Sequence, residues 1–424
     1  MNLADDSTSL LEGGQRVDLV PLAALIAADG LSRLGSAMTV TVVPWFVLVT
    51  TGSAARTGVT VFASGLGVVI ALLFGGTLVD RIGFRRSSVG GDLIAGIVIV
   101  TIPTIYFTVG LPFWLLAMLV FLAVLFEIPS AVARYSSLPD VAQRAGVRFE
   151  RANATFDAIL TGASLVGPAV AGVLIVVIGA SNVLWFDAGT FGLSAILIRT
   201  LVPIPAKLAS NGSGAPGYVR QLSEAAQFVI RDSVLGPLVL VLILMNLAIG
   251  PLESVVVPVL ARDVYHSAYV LGLLSSAMAL GGLGGNVLFG IIGHRLSRRA
   301  VFGLGFLMVP LALAALAVQP SVGVALAILA VVGLGLSLTN LLEYTIYFER
   351  FPQEMRARGL GITGALSWGS APISRIVCGF GIAVFGLAAT LGAGALVFLP
   401  VPLALLMLPR FRRLNSPAND EPNL

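Results

Sequence analysis

Along the chain, long apolar runs alternate with short polar gaps, and twelve of the runs have the length that a bilayer demands. A helix rises about 1.5 Å per residue, so about 20 apolar residues cross the hydrocarbon core. Six runs lie in the first half: Val20–Val49, Gly58–Val79, Leu93–Val109, Pro112–Ala133, Phe156–Ile178 and Asn182–Leu201. Six follow: Val234–Val259, Tyr269–Ile292, Val301–Val318, Val322–Ile346, Gly361–Val384 and Ala388–Leu408. The pattern predicts an all-α membrane protein. A tail over 1–19 precedes a six-helix bundle over 20–201, and a linker over 202–233 joins it to a second bundle over 234–408 and a tail over 409–424.

The linker opens on Ala209-Ser-Asn-Gly-Ser-Gly-Ala-Pro-Gly217, which reads as flexible chain. It closes on Tyr218–Arg231, where Val219, Leu222, Ala226, Phe228 and Val229 mix with Arg220, Gln221, Glu224 and Arg231. That weakly amphipathic stretch suits either a helix on the membrane surface or one capping the bundle.

Composition narrows the class further. Of 424 residues 57% are hydrophobic and 11% charged, with a mean hydropathy of +0.99. Soluble domains carry about 25% charged residues, so a water-covered surface is out of reach. A net charge of +4 does not point to nucleic acid, because the arginines gather at the ends of apolar runs as orientation anchors and lipid-headgroup contacts. Asp5, Asp6, Glu12 and Asp18 against Arg16 make a poor cleavable signal, so the first span is expected to stay.

Charge also orients the spans. Of 25 basic residues, only Arg56 and Arg262 fall in one set of loops, and Arg33 and Arg375 fall inside spans. The rest lie in or at the edge of the opposite loops and the tails, which places both termini on the cytoplasmic side.

The halves echo each other, as a duplicated unit would. Glu127 and Arg134 recur as Glu343 and Arg350, and Thr161-Gly162-Ala163 with Gly167 recurs as Thr363-Gly364-Ala365 with Gly369. Gly76, Asp80 and Arg81 correspond to Gly290, His294 and Arg295.

The gap after the second run reads Gly76-x-Leu-x-Asp80-Arg81-x-Gly83-x-Arg85-Arg86. This resembles the loop signature of the major facilitator superfamily, and twelve spans in two halves fit that architecture over nearly the whole chain. The resemblance implies two pseudo-symmetric six-helix bundles, with Gly76, Asp80, Arg81, Gly83, Arg85 and Arg86 forming a conformational latch. Ordinary anchoring by the arginines is the alternative, and His294 in place of Asp80 departs from a second latch. Gly162-x4-Gly167-Pro168-x3-Gly172 resembles the superfamily's antiporter signature, with Ala171-Gly172 where a glycine pair is expected. Close helix packing explains it equally simply.

Ionisable side chains inside spans are costly and mark cavities, partners or proton paths. Asp29 and Arg33, four residues apart, share a helix face and can pair. Glu253 sits two residues after Pro251 in span seven, the partner of span one in that architecture. Asp29 and Glu253 are therefore expected to carry protons, with Arg33, Glu127 and Glu343 in the same coupling set. A static Asp29–Arg33 pair, and a Glu253 near the outer surface, are the plain alternatives. Asp157 and Asp187 read as helix-start acids. Arg375 has no local partner and is expected to meet an acid across a substrate cavity walled by aromatics such as Trp45, Tyr344 and Trp368, though such rings more often pack between helices.

His266, His294 and the single Cys378 supply neither a metal cluster nor a nucleophile set. No cofactor and no enzymatic activity are expected. Pro44-Trp45-Phe46, Asp187-Ala188-x-Thr190-Phe191 and Pro251-Leu252-Glu253-Ser254 narrow the resemblance to bacterial drug efflux proteins of the Tap type. It implies a monomeric, proton-coupled antiporter exporting small amphipathic molecules, or alternatively one endogenous product such as a siderophore or self-made antibiotic.

Overall fold

A computed structural model describes residues 18–203, 215–352 and 355–415, without the side chains of 76, 77, 80, 215–222, 294, 356–358, 368, 410 and 412. Among the described residues, twelve helices are long and apolar enough to cross a membrane. In the first half they are α1 (Val20–Thr51), α2 (Ala54–Ile82), α3 (Phe84–Thr108), α4 (Phe113–Arg144), α5 (Phe149–Ile178) and α6 (Ala180–Leu201). A shorter helix, α7 (Ala215–Arg231), follows. The second half holds α8 (Leu235–Val264), α9 (Ala268–Ile292), α10 (Arg298–Ala317), α11 (Val322–Arg350), α12 (Gly359–Phe385) and α13 (Leu387–Met407). No strand occurs among the described residues.

Several helices run past their apolar runs. The third starts at Phe84, the fourth reaches Arg144 and the fifth starts at Phe149. These extra turns carry polar residues, so they continue the helix into the aqueous zone. At the other face the turns are abrupt: Gly179 (φ 85°) and Gly386 (φ 82°) join α5 to α6 and α12 to α13 within one residue. A side chain there would be strained, and the shared device is another echo between the halves.

Twelve crossings place the start of α1 and the end of α13 on one face, the tail face, and the other is the far face. The halves meet closely through two helix crossings near the far face. A Cβ on Gly172 of α5 would stand 2.8 Å from Gly272 Cα of α9. One on Gly379 of α12 would stand 3.1 Å from Gly58 Cα of α2. Only glycine allows such backbone contact. Toward the tail face, a Cβ on Gly162 of α5, Gly284 of α9 or Gly364 of α12 meets nothing within 4 Å. The seam is tight at the far face and relaxes toward the tail face.

Helix α7 docks on the second half, with Ala225 and Val229 buried and the Phe228 ring 5.8 Å from that of Phe351. It caps the bundle, while Ile230 stays exposed. Most of the linker's Gly-Ser stretch lies outside the described residues.

Candidate functional site: a polar ladder inside the first half

Helix α1 presents Asp29, Ser32, Arg33, Ser36 and Thr39 at intervals of one, three or four residues. Such spacing keeps them on one side of the helix, over about 15 Å of its length. They meet polar groups of α3, α4 and α6. The hub is Arg134 of α4, 0% exposed, a residue that run length alone would class as an anchor at the end of span four. Its Nε donates to Asp29 Oδ1 at 2.8 Å, and its Nη1 donates to Asp92 Oδ2 at 2.7 Å. Nη2 donates to the Ser32 hydroxyl at 3.1 Å. Asp92 of α3 also accepts from the hydroxyls of Ser130 and Ser194, both at 2.6 Å. Arg33 donates to the second oxygen of Asp29 at 2.7 Å and lies 5.9 Å from the Phe156 ring. Asp29 is thus gripped by two guanidinium groups.

Two further acids on the ladder have no cation within ion-pair distance among the described residues. Glu127 of α4 accepts from the Ser36 hydroxyl at 2.5 Å. Asp187 of α6 accepts from the Thr39 hydroxyl, and its second oxygen from Thr190 at 3.4 Å. Gly35 makes room for this: a Cβ there would collide with the Asp187 carboxylate. Asp187, seven residues into α6, is therefore a wholly buried partner of α1 and not a helix-start acid. Asp157 likewise sits a full two turns inside α5, exposed and bonded to Asn153 at 3.1 Å, because α5 begins at Phe149.

In the second half, Glu253 lies in a π-helical turn, Leu252–Val256, with another at Leu260–Val264. Pro251 and Pro258 lack the N–H that a regular α-helix needs, and such widened turns absorb the defect. The Glu253 side chain is exposed, on a stretch packed against α1, α2 and α12. Arg375 of α12 lies close enough to Glu253 for their charges to interact. Its hydrogen bonds, however, go to one carbonyl in each half: Gly250 O at 3.3 Å and, at the limit of range, Val61 O at 3.5 Å.

Glu343 is partly exposed on α11, beside Tyr344, whose side chain is 54% exposed. The echo of Arg134, Arg350, donates to Asp232 at 3.2 Å. Arg298 and Glu349 form a two-bond clamp at 2.6 and 2.7 Å.

Other expected residues fall elsewhere. Trp45 is only 9% exposed and packs in the core. In the glycine-proline stretch of α5, a Cβ on Gly167 would meet Ala37 of α1 at 2.6 Å. Pro168 and Gly172 abut Gly272, while Gly162 faces open space. This segment is part of the seam itself. Gly83 adopts φ 93° and turns α2 into α3. Arg85 donates to the Arg199 carbonyl. Arg81 and Arg86 are exposed, and Arg81 edges a groove of about 270 Å³ between α2 and α4. The side chains of Gly76, Asp80, His294 and Trp368 lie outside the described residues. A larger apolar groove of about 700 Å³ opens among α8, α10, α12 and α13, lined by Leu247, Pro251, Val377, Cys378 and Phe385.

A family model described as Major Facilitator Superfamily matches residues 25–374 and 252–423. The multidrug efflux pump Tap of Mycobacterium tuberculosis is 30% identical over 398 residues, which is 93% of this chain and 95% of that protein. The enterobactin exporter EntS of Salmonella choleraesuis is 26% identical, over 92% of this chain and 94% of its own. Among solved structures, a point mutant of the nucleoside transporter NupG aligns with a TM-score of 0.75 at 14% identity, covering 93% of this chain and all of that one.

Proposed function

The chain belongs to the Major Facilitator Superfamily, a family of membrane transporters, and from that premise we propose that it is a proton-coupled antiporter exporting small amphipathic compounds, drugs and antibiotics among them. The tail face is cytoplasmic, following the arginine bias, so the arrangement with a tight far face is inward-facing. Export proceeds as the two bundles rock about their seam and expose a central site to each side in turn.

One observation carries the coupling. Glu127, Glu253 and Glu343 make no ion pair among the described residues, although all three sit on membrane-crossing helices. A carboxylate in that setting gains from binding a proton. Asp29 differs, because two arginines hold it; we assign it to the framework that fixes α1 against α4. Efflux of drugs is supported by the full-length similarity to Tap. The similarity to EntS favours a second reading, export of one endogenous metabolite by the same machine.

Everted membrane vesicles with an acidic lumen provide the test. Drug uptake should follow the imposed pH gradient and fall in Glu127→Gln and Glu253→Gln. Uptake indifferent to the gradient across a panel of compounds would remove the proton from the account.

A further inference from the structure

We propose that Asp187 is a second proton-binding residue, the inner partner of Glu127, and that the Ser36 and Thr39 hydroxyls on α1 tie the two acids to the movement of the halves. The proposal rests on the exporter reading and adds a residue to it. Three observations support it.

The first is charge. The polar ladder contains Asp29, Asp92, Glu127 and Asp187, but only two cations, Arg33 and Arg134. Both guanidinium groups are taken by Asp29 and Asp92. Asp187 is 0% exposed and is met only by the hydroxyls of Thr39 and Thr190. A buried carboxylate so placed is far less costly when it carries a proton. Charged groups on the neighbouring helices do not alter this. Helix α1 brings Asp29 and Arg33, α3 brings Asp92, and α4 brings Arg134, all in ion pairs with one another. Asp157 of α5 is exposed toward the tail face, and α2 carries its charges only near its ends. Glu127 lies close enough to Asp187 for their charges to interact.

The second is position. Glu127 is partly exposed and lies roughly 20 Å along α4 from the far face, whereas Asp187 is buried roughly 10 Å along α6 from it. The pair therefore steps from the relaxed side of the seam toward the tight side. The third is mechanical. Helix α1 holds a hydroxyl against each acid, and the same helix packs against α8 and α9 of the other half. Any shift of α1 on opening the far face changes both contacts together.

In the transfer, the O–H bond of the Asp187 carboxylic acid breaks and one forms at the Glu127 carboxylate. One proton leaves one carboxyl and binds the other, so no other reactant is consumed. Ionising both acids at once is opposed by their mutual repulsion at low dielectric, which makes them share protons and not act alone.

Infrared difference spectroscopy of the purified full-length protein between acid and alkaline pH tests this without any substrate. The wild type should show carboxylic-acid bands, one of which disappears in Asp187→Asn. Thr39→Val, which removes only the hydroxyl, should displace that band and leave the others. Glu127→Gln should move the pH at which the Asp187 band titrates. Spectra of wild type and D187N that superimpose would overturn the proposal. Should D187N fail to fold, an unmoved spectrum in Thr39→Val overturns it equally. A titrating Asp187 in a protein whose vesicle uptake ignores the pH gradient would sink the proton-coupled reading while leaving the proton site intact.

Discussion

Arg134 illustrates how much one side chain can hold. It connects α4 to α1 and α3 through charge-assisted hydrogen bonds to carboxylates and to hydroxyls. Replacing it with methionine keeps bulk but leaves Asp92 buried without its cation and Asp29 with Arg33 alone. Breaking a buried pair in this way costs about 3–5 kcal/mol, so Arg134→Met should lower the melting temperature in detergent sharply. Adding Asp92→Asn should restore part of the loss. Nothing in the local sequence announces this role. Arg134 stands at the end of an apolar run, where arginines usually anchor, and its partners are 42 and 105 residues away. Asp29–Arg33 was legible because a spacing of four residues fixes a shared helix face. Asp187 was not, because only the fold brings Thr39 and the Gly35 gap to it.

Among the elements, α5 and α9 show why small residues matter more than their apolarity suggests. A leucine at Gly172 would need space held by Gly272 backbone at 2.8 Å. Gly172→Leu should therefore force the far face apart, abolishing gradient-driven uptake while the protein still folds and purifies like the wild type. Spin-label distances across the far face in that variant would check this directly. The apolar runs located every crossing helix, because lipid sets their length. They did not locate helix ends, since α3, α4 and α5 continue in polar residues that composition alone reads as loop. The glycine-proline motif of α5 was visible as a pattern, but its contact with the opposite half depends on a register that no single helix encodes.

For the whole molecule, the fold was legible in full outline: two six-helix halves, their echo and a linker between them. What the sequence left out is how the halves meet, tight at the far face and looser toward the tail face, because that depends on contacts between distant helices. Val109 and Val318 lie in far-face loops of the two halves, and Arg148 and Arg413 on the tail side. Spin labels at Val109→Cys and Val318→Cys should separate when the transporter turns outward, and labels at Arg148→Cys and Arg413→Cys should approach. Distances that change together in one direction would contradict a rocking motion.

Arg375 turns that motion into a chemical demand. Its guanidinium touches a peptide oxygen of Gly250 on its own side and one of Val61 across the divide. Under the proposed rocking, parting α2 from α12 would strip away the second oxygen, leaving a positive group with a vacant hydrogen at the mouth of the opened vestibule. An outward form reached that way would begin short of an acceptor, and whatever oxygen filled the vacancy, from Glu253, water or cargo, would influence how long the vestibule stays open.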